Sequence, residues 1–180
     1  IRELARCGFV DVVSRQGVTV TDYANSGNLE TLLAIMKRSV NHMDKRTICS
    51  LLDLRCYLEC PALELLAEHH TEEDITVLRN LCKRAALAAK GKTEESFAEA
   101  LYYYHRTVMK LSGNTITPLI LNALISAVLP FWSDYEEMNG TESALEQLSV
   151  FTDLVEQGQG EKASDLLRSG VAQYKQAHRF

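Results

Sequence analysis

The 180-residue sequence is long enough to bury the core of one domain, or of one domain and a fragment, but two full domains would be cramped. Its 46% hydrophobic and 24% charged residues exclude a disordered or fibrous chain, and no apolar run reaches the roughly 18 residues of a membrane span. The net charge of −5 argues against strong nucleic-acid binding by these residues alone, because neutralising phosphates requires surplus Lys and Arg.

The first 22 residues predict a helix end followed by a two-stranded hairpin. Residues 1–8 read as the last turns of a helix that a C′ glycine stops. Two β-rich runs then flank the turn Arg15-Gln16-Gly17. This order is typical of the end of a winged helix-turn-helix, with the turn as the wing that touches DNA; a plain hairpin capping a helical domain is the alternative. Because the first residue is Ile, we expect residues 1–22 to be the remnant of a DNA-binding domain.

Residues 23–27 are small and polar, and hydrophobic periodicity changes there from two to 3.6 residues, which predicts a linker. From residue 28 to 180, helical periodicity and short polar connections predict an all-α domain, an antiparallel bundle of about six to seven helices. The predicted inward positions include Leu29, Leu32, Leu33, Met36, Val40, Leu51, Leu52, Leu58, Ala62, Leu65, Leu66, Val77, Leu78, Leu81, Ala85, Phe97, Leu101, Tyr104, His105, Val108, Leu145, Leu148, Phe151, Val155, Ala163, Leu167, Val171 and Tyr174.

Residues 116–132 are apolar on nearly every side of a helix. This pattern predicts the central helix of the bundle, interrupted near Pro130, with Thr141 capping the next helix. His42 is predicted to lie in a loop.

Five cysteines occur without a CxxC pair or a recognisable disulfide framework, which favours a reducing cytoplasm. Cys49, Cys56 and Cys60 share one helical face, and we interpret them as small buried core residues.

Polar residues on apolar helix faces are the candidate ligand-binding groups, because burying them without a partner is unfavourable. Arg55 and Glu59 lie four residues apart and can pair, and the guanidinium would have donors left for a carboxylate or phosphate. His105 lies on another inward face. A structural ion pair and a hydrogen-bonded core histidine are the alternatives.

The sequence predicts neither a metal site nor an enzyme. The positions four residues from His105 are Leu101 and Met109, so no second metal ligand shares its face. There is no P-loop, GxGxxG, HExxH or GxSxG motif. Paired glutamates lie at helix starts or in loops, where they are expected to be solvated. We therefore expect no catalytic residues and no cofactor.

Three segments, in order, resemble one family. IRELARCGFVDVVSRQGVTVTDY (1–23) resembles the end of the winged-helix reader of GntR-type bacterial transcription regulators. LRCYLECPALELLAE (54–68) resembles the family's Arg-x-x-x-Glu helix, and YHRTVMKLSGN (104–114) its aromatic-His helix. Together they resemble the FadR branch, whose all-helical C-terminal FCD domain binds an effector and dimerises.

The resemblance implies a cytoplasmic homodimer that binds operator DNA and a small-molecule effector. It implies no association with a membrane. It places Arg15, Gln16 and Gly17 at the wing tip near DNA. It places Arg55, His105 and Asn114 at or around the effector cavity, and Tyr135 where the acyl-CoA-binding relatives have a cavity tyrosine. Glu59, the partner of Arg55, is the fifth candidate ligand-binding residue.

Many relatives hold a divalent metal with one Asp and three His, and here only His105 matches. Leu101 replaces the Asp, and Leu148 and Gly170 stand roughly where later histidines would be. The resemblance therefore implies an acyl or organic acid effector that no metal anchors. A helical interaction or scaffold domain is the alternative function, and it predicts that side chains fill the space around Arg55 and His105.

Overall fold

The computed structural model describes residues 1–39 and 44–179. The chain divides into two compact units, Ile1–His42 and Met43–Phe180. The predicted inward position of Val40 and the predicted loop position of His42 lie outside the described residues. The predicted linker at residues 23–27 falls inside the first unit, and the assignment of residues 1–22 to a DNA-binding domain stays a prediction.

The first unit contains the predicted helix end and hairpin. Gly8 follows α1 with a φ of 72°, the left-handed conformation that a C′ glycine adopts most readily. The two strands are antiparallel, with Val10 opposite Val20. The predicted linker holds one turn of helix. The elements are α1 (Arg2–Arg6), β1 (Val10–Val13), β2 (Gly17–Val20), α2 (Tyr23–Ser26) and α3 (Leu29–Ser39).

The second unit is helical in all the elements described, so the predicted all-α fold is confirmed. Its helix starts follow the sequence signals: Asp44 accepts from the Thr47 amide, and Thr71 and Ser96 each form a capping box. The elements are α4 (Lys45–His69), α5 (Glu72–Ala88), α6 (Phe97–Leu111), α7 (Thr117–Ala123), α8 (Ile125–Glu156) and α9 (Gly160–Ala177).

Helix α6 lies at the centre of this unit. Its predicted inward residues, including His105, are all buried against α4, α5 and α8. Three inward predictions on other helices are wrong, because Leu29 on α3, Leu65 on α4 and Val77 on α5 are exposed. Leu65 lies on the outer side of α4, and the neighbouring Leu63 takes the buried position. Of the three aligned cysteines, Cys60 is buried, whereas Cys49 and Cys56 are only partly buried.

The prediction for residues 116–132 needs correction. These residues do not form one central helix: the chain breaks at Leu124, between α7 and α8, and Ile116 and Leu119 are exposed. Pro130 lies inside α8 and does not end it. The interruption instead comes at Gly140, whose φ of 77° a helix cannot accommodate, one residue before the predicted cap at Thr141.

None of the described helices combines the length and apolar character that a bilayer span requires.

Candidate functional site

Helices α4, α6, α7, α8 and α9 of the second unit surround a pocket of about 60 Å³. Most of its wall is apolar. A void of this size exceeds the space that one water molecule needs. The apolar residues that line it are Leu51, Leu52, Leu54, Leu58, Met109, Leu121, Leu124, Val128, Phe131, Leu167 and Val171. The polar or aromatic groups that line it are Arg55, Glu59, His105, Trp132, Tyr135, Gln147 and Tyr174, with Gly170 beside them.

Three of the predicted residues meet in one hydrogen-bonded cluster. Arg55 Nε donates to Glu59 Oε2 at 2.9 Å, and Glu59 Oε1 contacts His105 Nδ1. Arg55 Nη2 lies 3.5 Å from His105 Nε2. A guanidinium can only donate, so Nε2 is the acceptor and the proton belongs on Nδ1, where it is donated to Glu59. The cluster joins α4 to α6 at the wall of the pocket.

Trp132 extends this cluster. The His105 ring stacks on its indole with 4.5 Å between centroids and 13° between planes. The Arg55 guanidinium carbon lies 4.0 Å above the same indole. Since Arg55 and His105 also contact each other, both must lie over one face of the ring. This arrangement combines π-stacking with a cation–π contact.

Burial and charge together set the protonation of the cluster. Burial alone raises the pKa of Glu59, but the Arg55 charge and the hydrogen bonds from His105 and Arg55 outweigh it and lower that pKa. Burial also lowers the pKa of His105, an effect that the Arg55 charge reinforces and Glu59 opposes. The imidazole is therefore neutral near pH 7, and the Arg55 cation and Glu59 anion balance each other.

Tyr135 lies at the pocket wall. Its hydroxyl donates to Gln147 Oε1 at 3.1 Å, and burial raises its pKa, so the phenol is neutral. Asn114 is exposed and is not among the lining residues. It accepts from the backbone amides of Ile116 and Thr117 and so braces the start of α7, which makes its effect on the pocket indirect.

Sequence reasoning missed Trp132 as a site residue. It falls within the apolar stretch 116–132, where an aromatic residue reads as ordinary core. The signal that could have identified it is the indole N–H, because a buried tryptophan usually needs a hydrogen-bond acceptor and none is evident in an apolar stretch.

The metal of many relatives does not fit these residues. Both His105 nitrogens already contact Glu59 and Arg55, and the guanidinium would repel a cation. Leu101 and Leu148 are buried apolar side chains and supply no ligand. Within residues 1–39 and 44–179 no three His, Cys, Asp or Glu side chains come close enough to hold a metal ion.

The predicted wing residues lie at the tip of the hairpin in the first unit. Arg15, Gln16 and Gly17 are all exposed. Arg15 has a φ of 67° and Gly17 a φ of 104°, and the Gln16 amide donates to the Val13 carbonyl to close the turn. The tip can present one cation to a partner.

Comparisons with known proteins agree with this architecture. No curated protein matches the chain. Among solved structures it is similar to one described as Streptococcus agalactiae GntR, with a TM-score of 0.62, 18% identity, and coverage of 98% of this chain and 78% of that chain. At this identity the likeness shows a shared fold. The family model of the FCD domain matches residues 50–173, which contain Arg55, Glu59 and His105, and the chain therefore belongs to the FCD domain family.

Proposed function

We propose that this chain is the effector-sensing part of a GntR-type, FadR-branch transcription regulator that acts by binding, not by catalysis. The second unit binds a small metabolite, and binding changes the operator affinity of a cytoplasmic homodimer. Membership of the FCD family and the fold shared with a GntR regulator support this proposal. The observation that carries it is the buried cluster of Arg55, Glu59 and His105 beside a void.

A void next to buried polar groups favours a binding domain over a scaffold. Protein interiors are close-packed, and burying charged groups is unfavourable unless they are paired. In a scaffold, apolar side chains would fill this space at no loss of function. Here the pocket wall instead keeps a guanidinium, a carboxylate and an imidazole.

The effector is an acyl or organic acid compound that no metal anchors. Eleven lining positions are apolar side chains suited to a hydrocarbon body. Arg55 uses Nε for Glu59 and directs Nη2 towards His105, and a guanidinium has five N–H donors in total. Its further donors can hold an oxygen of the effector.

An effector alters DNA binding only through its different affinities for the DNA-competent and DNA-incompetent arrangements. Helix α4 is the proposed lever because it carries Arg55 and Glu59 and packs on both α6 and α9. The exposed hairpin tip is the proposed wing. We propose that Arg15, Gln16 and Gly17 contact operator DNA there.

A thermal-shift screen of organic acids, acyl-CoAs and divalent metals tests the sensing role. Any ligand that binds the folded state raises the melting temperature, so we expect members of the first two classes to stabilise the protein and metals to have no effect. Arg55→Ala should abolish the ligand-induced shift. Arg168→Ala is the matched control, because that arginine is exposed on α9 and outside the pocket.

Absence of stabilisation by every compound would favour the scaffold function. An equal shift in Arg55→Ala and the unsubstituted protein would remove Arg55 from the site. When the protein binds operator DNA, Arg55→Ala should leave that binding unchanged and lose only the response to effector.

A further inference from the structure

The indole nitrogen of Trp132 has no hydrogen-bond acceptor among the residues that the structure describes. Trp132 is only 5% exposed, and it lines the pocket. An unpaired buried donor is unfavourable in a folded protein. An acceptor that reaches this nitrogen would therefore gain a hydrogen bond for which no protein–protein bond has to be broken.

The charges around the indole are already matched. The Arg55 cation pairs with the Glu59 anion at 2.9 Å, and His105 donates a hydrogen bond from Nδ1 to the same carboxylate. The pocket wall therefore combines an unpaired neutral donor, the indole N–H of Trp132, with little net positive charge. Among the described residues that line the pocket, Arg55 is the single positively charged side chain.

This electrostatic balance discriminates between two head groups. An ionised carboxylate loses its hydration on entry, and Glu59 both competes for Arg55 and repels the newcomer. An uncharged carbonyl group loses far less hydration and needs only one good donor. The apolar wall accepts the same hydrocarbon body in either case.

We propose that the pocket takes an uncharged amphipathic molecule, an acyl amide, ester or lactone, whose carbonyl oxygen accepts a hydrogen bond from Trp132 Nε1. The inference rests on the proposed sensing function and narrows the effector from acyl or organic acid compounds to neutral acyl compounds. It makes Trp132 the donor that holds the head group and Glu59 the residue that disfavours an anionic one, with Arg55 and His105 holding the indole in place.

Hexanamide and hexanoate are suitable probes because they share one chain length and differ in charge. Trp132 is the only tryptophan of the sequence, so its fluorescence reports on this pocket alone. At pH 7 we expect hexanamide to bind at least tenfold more tightly than hexanoate. Equal or tighter binding of hexanoate, or failure of both to bind, would overturn the inference.

Trp132→Phe removes the donor and keeps an aromatic ring. In calorimetric titrations it should weaken hexanamide binding about five- to tenfold, the effect of one lost hydrogen bond. Binding of 1-chlorohexane, which lacks a strong acceptor, should change little and so controls for altered packing. An unchanged hexanamide affinity would show that water or nothing meets Nε1, and would also overturn the inference.

These results separate the two proposals. If the thermal-shift screen finds a carboxylate effector that needs Arg55, the neutral-ligand inference fails and the sensing function stands. If no compound in either experiment binds, the sensing function fails as well.

Discussion

The carboxylate of Glu59 connects two helices, because it accepts from Arg55 on its own helix and from His105 on α6. The first contact is local: residues four apart on a helix face the same way, so the sequence predicts it. The second joins residues 46 positions apart, and helical periodicity says only that both point inwards. The contacts of Trp132 are not predictable from the sequence either, because the groups above its indole, Arg55 and His105, lie on other helices.

Replacing Glu59 with Gln should destabilise the protein. The substitution keeps the shape but leaves the Arg55 cation without its partner in a mostly buried position, which costs about 3 kcal/mol. Urea unfolding measures this loss. Glu64→Gln is the matched control on the same helix, because Glu64 is 41% exposed and its contact with Arg168 is 3.6 Å long. That change should cost about 0–1 kcal/mol, and equal losses in the two variants would contradict the buried role of Glu59.

Stability should also fall on acidification. The folded state lowers the pKa of Glu59 from 4.5 to about 2, so its contribution is present above pH 4.5 and is lost as pH falls towards 2. His105 also reduces stability as the pH falls below 6.5. Its pKa is lower in the folded state, so the unfolded chain binds the proton at a higher pH than the folded chain does. Free energies of unfolding measured against pH should decline less steeply below pH 4.5 in Glu59→Gln. Parallel curves would show that Glu59 is not the group responsible.

At the scale of elements, the α4–α9 contact forms one wall of the pocket. Gly160 begins α9 so close to α4 that a Cβ placed there would lie 2.6 Å from the Glu64 Cα. The residues that pack between these helices include Leu52, Val171 and Tyr174, and all three also line the pocket. The spacing of the two helices therefore determines the width of the void.

Gly160→Ala should force α4 and α9 apart. Because the obstacle is backbone, the clash cannot be relieved by a side-chain rotation, and we expect a loss of about 1–3 kcal/mol in chemical unfolding. Gly170→Ala is the same change on the same helix. Its Cβ would meet only Nε2 at the end of the flexible Gln147 side chain, at 3.3 Å, so stability should be unchanged or rise by up to about 1 kcal/mol. A harmless Gly160→Ala would mean that the helices do not approach this closely.

At the scale of the whole molecule, charge limits what these 180 residues do with DNA. The net charge is −5, and residues 1–22 hold three arginines against three acidic residues. Arg6 is already engaged by Glu3 and Glu30, at 2.6 and 2.5 Å. Arg15 at the hairpin tip is exposed, but one cation neutralises too few phosphates to provide tight binding.

Residues 1–180 alone should therefore bind duplex DNA weakly. Fluorescence anisotropy with a labelled duplex, at low and at physiological ionic strength, checks this expectation. Few neutralised phosphates mean little counterion release and a shallow dependence on salt. Tight binding that salt weakens steeply would require a basic surface on this chain and would contradict the wing assignment of residues 1–22.

The sequence by itself determined the features that depend on neighbours along the chain. Helical periodicity, capping residues such as Ser96 and the alternation of β1 and β2 act over a few residues, which is why the all-α unit and the hairpin were predictable. Apolar content alone was misleading in residues 116–132, because it does not say which faces other helices cover. Only the tertiary structure decided that Arg55, His105 and Trp132 meet beside a void, since packing between helices distant in sequence sets those distances.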